Sequence, residues 1–404
     1  MKKLSIFLLC AVSLFCSCSD DDDTYKRGYI ELSSLEKEIA QQSKSFAFNL
    51  LNAVNDNTDD NSQVLVSPLS ASFALSMAMN GASGETLNEF VDVLGFSGYS
   101  AGEINTFNRK LLGGLNRLDN SVKIEVSNSL WLNSGFSVLD SYRNAVKSDY
   151  KAQLQQVDFA QPSTLDAINS WCSRNTGGLV NNMLDYLSPD NMFLLINTLY
   201  FKAPWAAPFT TVKQGAFTTI TGEEQTVDFM TGEQNARYYQ SDRYTAAAIT
   251  YGNGAFCYYV VLPNEGIDAD ECIDELAAGS WSDYRDYYYG IVNLKLSMPK
   301  FEISSKRYLA SPLMGMGLNA AFLPGADLSN MTSIPTTHIS NVLQGVVFKV
   351  DEMGAEAASA TVITGDVAAP PPMNVELTVD RPFLFFVQEQ SSGAILFAGK
   401  VGRI

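Results

Sequence analysis

The sequence predicts one large α+β domain. Three observations predict it: capped helical stripes near the start, long apolar β-forming runs in the second half, and a texture that passes unbroken from one to the other. With 404 residues, 46% of them hydrophobic and 18% charged, the chain has ample apolar material for a large core, and no internal repeat divides it. The formal net charge of -17 gives a surface that repels phosphate backbones, so nucleic acid is not an expected partner.

The first segment reads as a targeting signal. Lys2 and Lys3 precede an apolar run from Leu4 to Phe15, too short to span a bilayer and the right length for a signal core. Phe15-Cys16-Ser17-Cys18 resembles a bacterial lipobox, with Cys18 as the lipidated first residue and Cys16 a second candidate; Phe15 departs from the usual aliphatic residue. Ser19 and the four aspartates Asp20–Asp23 resemble the acidic surface-export tag of Bacteroidota lipoproteins, and they equally suit a solvated tether. The expected division is a signal peptide over 1–17, a lipidated tether over 18–30 and one folded domain over 31–404. The expected location is the outer membrane, on the cell-surface side, with the membrane contacted only through the N-terminal lipid.

Along the domain, Ser33 and Glu36 form a capping box, and Leu35, Ile39, Phe46 and Leu50 recur at helical spacing behind it. Ser67-Pro68 starts a second helix that stops near Gly81, with small residues suited to packing under a sheet. Met192–Lys202 is apolar on both faces, as a central strand should be, and Phe256–Leu262 is another strand. Phe383–Val387 and Ala394–Ala398 read as a terminal hairpin. Beyond the leader only Cys172, Cys257 and Cys272 remain, an odd number without paired spacing, which argues against a disulfide framework. One segment departs from this texture. Gly354–Thr361 is rich in alanine and serine, a polar stretch follows, and Pro370-Pro371-Pro372 cannot join a central ladder, so a long exposed loop is predicted over about 354–376.

These features together resemble the serpin family over nearly the whole mature chain. Ser67-Pro68-Leu69-Ser70 is similar to the motif opening the helix beneath the family's main sheet. Asn197–Trp205 (NTLYFKAPW) resembles that sheet's third strand, and Leu296–Phe301 (LSMPKF) resembles another family strand. Asp380-Arg381-Pro382-Phe383-Leu384 matches the C-terminal motif, and Val350–Ala358 (VDEMGAEAA) looks like the hinge of the reactive loop. The resemblance implies three β-sheets, about eight or nine helices and an exposed reactive loop. It further implies an inhibitor that acts as a suicide substrate: a protease attacks the loop, and the cut loop enters the main sheet as an extra strand before the acyl-enzyme is released.

By the same resemblance Gly354, Ala355, Glu356, Ala357, Ala358, Ser359 and Ala360 form the hinge, and the scissile bond falls at Ala368–Ala369, with Val367, Ala369 or Met373 as other registers. The fourteen residues from Gly354 to Ala368 reach roughly 46 Å as a strand, against a diameter of about 54 Å for a compact chain of this size. In strand parity Ala355, Ala357, Ser359, Thr361 and Ile363 share one face, and Glu356 falls on the other. Ala368 suits the shallow pocket of an elastase-like serine protease. Ser67, Ser70 and Asn197 correspond to the cluster where the sheet parts, with Gln344 where many serpins carry histidine; ordinary buried polar groups are the alternative. Lys300 and Glu352 correspond to an ion pair at the hinge base, and Trp205 to a gate or a core aromatic. A serine hydrolase would have to use His338, the one histidine, and no nucleophile elbow is expected around any serine. Neither metal nor cofactor is expected, and the protein is expected to be monomeric. The alternatives are a non-inhibitory binding protein on the same fold and an inhibitor of a cysteine protease.

Overall fold

The computed structural model describes residues 27–58, 63–278, 291–340, 342–355 and 373–404. Helix α1 (Ser34–Gln42) starts where Ser33 N donates to Glu36 Oε2 at 2.6 Å and Glu36 N donates to Ser33 Oγ at 3.3 Å, the capping box read from the sequence. The single stripe from Leu35 to Leu50 is divided, however. Ser43 turns its hydroxyl back to Ala40 O at 3.2 Å, the helix breaks, and α2 (Lys44–Asp56) resumes with Phe46 and Leu50 inward. Leu35 misses that inward face and is 38% exposed. The segment before α1 is pinned too: Gly28 N donates to Leu118 O, and Ile30 N to Ser391 Oγ.

Strand β1 (Gln63–Val66) leads into α3 (Pro68–Met79), whose residues are buried all round except Ser72, as expected of a helix under a sheet. Helices α4 (Gly84–Val93) and α5 (Ala101–Gly114), strand β2 (Lys123–Asn133), α6 (Asp140–Tyr150), β3 (Gln153–Val157) and α7 (Pro162–Asn175) follow. The predicted central strand is β4 (Phe193–Pro204). Then come β5 (Thr211–Thr218), β6 (Glu224–Gln240), β7 (Tyr244–Tyr251), β8 (Phe256–Pro263) and α8 (Ala269–Ala277). The remaining elements are β9 (Ile291–Pro299), β10 (Phe301–Tyr308), α9 (Ala310–Gly315), β11 (Leu343–Val350), β12 (Gly354–Ala355), β13 (Asn374–Thr378), β14 (Phe383–Glu389) and β15 (Ile395–Val401). Asn374–Glu376, expected at the end of the loop, already belong to β13 and pair with β9.

The strands form two hydrogen-bonded networks. One runs β10-β11-β4-β2-β3, with β12 added to β4. The other runs β1-β15-β14-β8-β7-β6-β9-β13, with β5 added to β6. The second network holds two of the three expected sheets, because β6 is common to both. Its residues 229–237 pair with β9 and its residues 237–240 pair with β7. The core lies between β4 and β11 on one side and β8, β14 and β15 on the other; Phe348 meets Phe385 and Phe397, and Phe201 meets Phe256, at ring separations of 5.0–5.5 Å. A second apolar cluster, including Trp131, Ile168, Trp171, Ile196 and Leu343, seats α7 on the opposite face of the first sheet. Cys172, Cys257 and Cys272 are buried free thiols pushed up to about 12 by that burial.

Candidate functional site

The β-formers of β4 and β11 make them neighbours, yet the two strands share only the pairs Leu343↔Ile196 and Gln344↔Asn197. Beyond Asn197 they continue without pairing to each other, which leaves a slot in the middle of the sheet. At its upper end β11 stops at Val350, and a tight turn reverses the chain: Asp351 and Gly354 exchange backbone hydrogen bonds at 3.1 and 3.2 Å. Gly354 has φ 137°, and a Cβ there would run into Ala203 O, so only glycine fits. The next step is an antiparallel pairing with β4, Gly354↔Pro204 and Ala355↔Ala203, and Ala355 is 4% exposed. Thus the first two hinge residues already lie in the sheet at the mouth of the slot. Glu356, Ala357, Ala358, Ser359, Ala360, the bond Ala368–Ala369 and Cys18 lie outside the described residues.

The base of the hinge is fastened twice. Trp205 is fully buried, stacked on Tyr251 at 4.3 Å, so it is a core aromatic; its indole Nε1 also donates to Asp351 O at 2.8 Å and its amide to Met353 O at 3.0 Å. Lys300 Nζ lies 2.7 Å from Glu352, the ion pair that the resemblance implied. Its hydrogen bond to Lys300 holds the Glu352 carboxyl below the usual carboxylate range, and the same bond raises the Lys300 ammonium. Both side chains are about one-third exposed, at 32% and 34%, so the pair contributes on the order of 0–1 kcal/mol.

Below the slot, Ser67, Ser70, Asn197 and Gln344 come together as one buried cluster. Gln344 reads both backbone groups of Ser67: Ser67 N donates to its Oε1 at 2.9 Å, and its Nε2 donates to Ser67 O at 2.8 Å. Ser67 Oγ donates to Leu396 O at 2.7 Å, and Ser70 Oγ donates to Asn197 Oδ1. The cluster therefore ties α3, β4, β11 and β15 together at the point where the slot closes.

Sequence reasoning missed how far this network extends. Asn197 donates to Asn128 Oδ1 on β2, and Asn128 Nδ2 donates to Tyr150 O at 2.7 Å. The Tyr150 hydroxyl, pushed up to about 12 by burial, donates to Asn105 at 2.6 Å and accepts from Asn108 at 3.2 Å. The available signal was Asn105 and Asn108 beside Ile104, Phe107 and Leu111 on the apolar stripe of α5.

One expectation needs correction. Gly98-Tyr99-Ser100-Ala101-Gly102 does carry the spacing of a nucleophile elbow. Ser100, however, follows a turn instead of a strand and caps α5, its hydroxyl 2.6 Å from Glu103 Oε2, so it is a helix cap.

A family model described as Serpin (serine protease inhibitor) matches residues 41–404. The chain is 29% identical to Iripin-3 of Ixodes ricinus, with 100% of both sequences covered. Among solved structures it is similar to tengpin, a thermophilic serpin in its native state, with TM-score 0.82, 28% identity, and 93% of this chain and 95% of that one covered. It is also similar to thyroxine-binding globulin in complex with thyroxine, with TM-score 0.79, 27% identity, and 90% and 98% covered.

Proposed function

The chain belongs to the serpin family, whose members are protease inhibitors in general, and from that premise we propose that this one is inhibitory and traps an elastase-like serine protease. The observation that carries the reading is β12: Gly354 and Ala355 occupy the mouth of an unpaired slot, with small residues next in line. The protease serine attacks the Ala368 carbonyl, the amine of Ala369 leaves, and an ester joins the two proteins. The freed loop then adds strand pairs along β4 and β11, and the attached protease is carried away before water cleaves the ester. Extra ladder hydrogen bonds, each worth about 0.5–1.5 kcal/mol net, drive that motion, and the cost of ordering the loop offsets much of the gain.

Small side chains matter because the slot's inner wall is already packed by Phe201 and Phe348, both buried. Incubation with elastase followed by a denaturing gel tests the reading. An inhibitor leaves a covalent complex, whereas a chain that is merely cleaved is a non-inhibitory binding member of the fold. The Ala355→Arg variant forces a charge into a buried position and is expected to convert inhibitor into substrate; undiminished complex formation in that variant would sink the insertion reading. Cysteine proteases are the second target class for the same gel.

We further propose that residues 1–17 are a signal peptide and that Cys18 carries lipid. Residues 18–30 then tether the domain 31–404 to the outer membrane, on its surface side. The support is the Cys18 context and its acidic tail. Partition into detergent that Cys18→Ala abolishes is the expected behaviour.

A further inference from the structure

Three independent registers meet at the mouth of the slot. The pair Ala355↔Ala203, carried one residue further, sets position 356 opposite Lys202 on β4. The bridge Asp351↔Gly354, carried two residues further, sets position 356 opposite Lys349 on β11. The direct pairing Gln344↔Asn197 has the same offset as Asp351 against Pro204, so the registers agree with one another. The faces agree as well. Ala203 and Ala355 are buried, and residues one step along a strand point the other way. Lys202 is half-buried, Lys349 is exposed, and both lie on the sheet face away from the Gln344–Ser67 cluster.

We infer that Lys202 and Lys349 form a receiving site for the carboxylate of Glu356, the next residue of this chain, and that the site is completed only as the loop enters the sheet. The inference rests on the insertion reading proposed above. Opposite Lys349 on its far side stands Glu302, and opposite Lys202 stands Lys123. Lys123 directs its ammonium to Glu125 at 3.2 Å and over the Tyr200 ring. Once Glu356 is in place, the row across the sheet reads Glu302, Lys349, Glu356, Lys202, with charges alternating between directly opposite residues. Directly opposite unlike charges stabilise a sheet and like charges destabilise it. Glu356 is the first residue to arrive after Ala355, so this pairing favours the first step of insertion.

The test compares the intact chain with the chain cut in its loop, by thermal melts in urea at low ionic strength, since guanidinium would screen the charges. Wild type is expected to melt higher after cutting. K202E/K349E is expected to show that rise reduced by about 3–6 °C, with the shortfall shrinking in high salt. Adding Glu356→Lys to it is expected to restore the rise. Contacts present in both forms, such as Glu302 against position 349, cancel in the difference. An undiminished rise in K202E/K349E, or a shortfall that Glu356→Lys does not repair, overturns the inference while leaving insertion intact. No rise in wild type overturns the insertion reading and this inference with it. Should the double reversal fail to fold, K202Q/K349Q gives the same comparison with a smaller expected shortfall, and an undiminished rise there is equally fatal.

Discussion

The side chain of Gln344 satisfies a backbone donor and a backbone acceptor of the same residue, Ser67, on a neighbouring element. A neutral imidazole also offers one donor and one acceptor, but it loses the acceptor on protonation, near pH 6.5 for an unperturbed histidine. The amide keeps both roles at any pH, so this corner of the molecule titrates nowhere in the physiological range. Truncation by Gln344→Ala leaves both Ser67 groups buried and unpaired, and a loss of about 2–4 kcal/mol is expected in urea denaturation. A loss below about 0.5 kcal/mol would mean that water replaces the amide. Motif context made Ser67, Ser70, Asn197 and Gln344 legible in the sequence. Asn128 and Tyr150 were not, because a backbone carbonyl at a helix end carries no residue signature.

At the scale of elements, the turn between β11 and β12 is held by Lys300, which follows β9, and by Trp205, which follows β4. The ion pair sets a pH window. Glu352 is lowered from 4.5, so its contribution is full above that value and is lost as pH falls through the lowered one. Lys300 is raised from 10.5, so its contribution is full below that value and is lost as pH rises through the raised one. The fastening should therefore be constant between pH 6 and 9. Glu352→Gln should lower stability by less than about 1 kcal/mol there and should remove the pair's share of acid sensitivity below 4.5. Parallel pH–stability curves for the two proteins in acid would contradict this.

Elements with local signatures were readable: α3 from Ser67-Pro68, β4 from its two apolar faces, and β14 with β15 from the turn between them. The role of β6 was not readable. Its alternation runs through 17 residues without a break, while its partners change from β5 and β9 to β7 partway along. Pairing is a long-range property, and nothing in the local pattern marks the change. The split between α1 and α2 was hidden for the opposite reason, since one serine hydroxyl decided it.

On the scale of the whole molecule, the length of β4 acquires a meaning that its composition does not suggest. Continued from Ala355↔Ala203, the ladder reaches the foot of β4 at Phe193 with Gly365 opposite, and Ala368 follows just beyond. The strand is thus a measuring stick, and the loop between hinge and scissile bond is cut to it. Removing Thr364 and Gly365 would leave a captured protease about 7 Å short of its final position. Covalent complexes of that variant should form on a gel but release active protease faster than wild type; equal lifetimes would show that length is not what is being gauged. Between hinge and bond, many side chains can be exchanged without harm as long as they are small on the inward face. The count of residues has no such freedom, so variation in this loop should accumulate as substitutions and be barred as insertions or deletions.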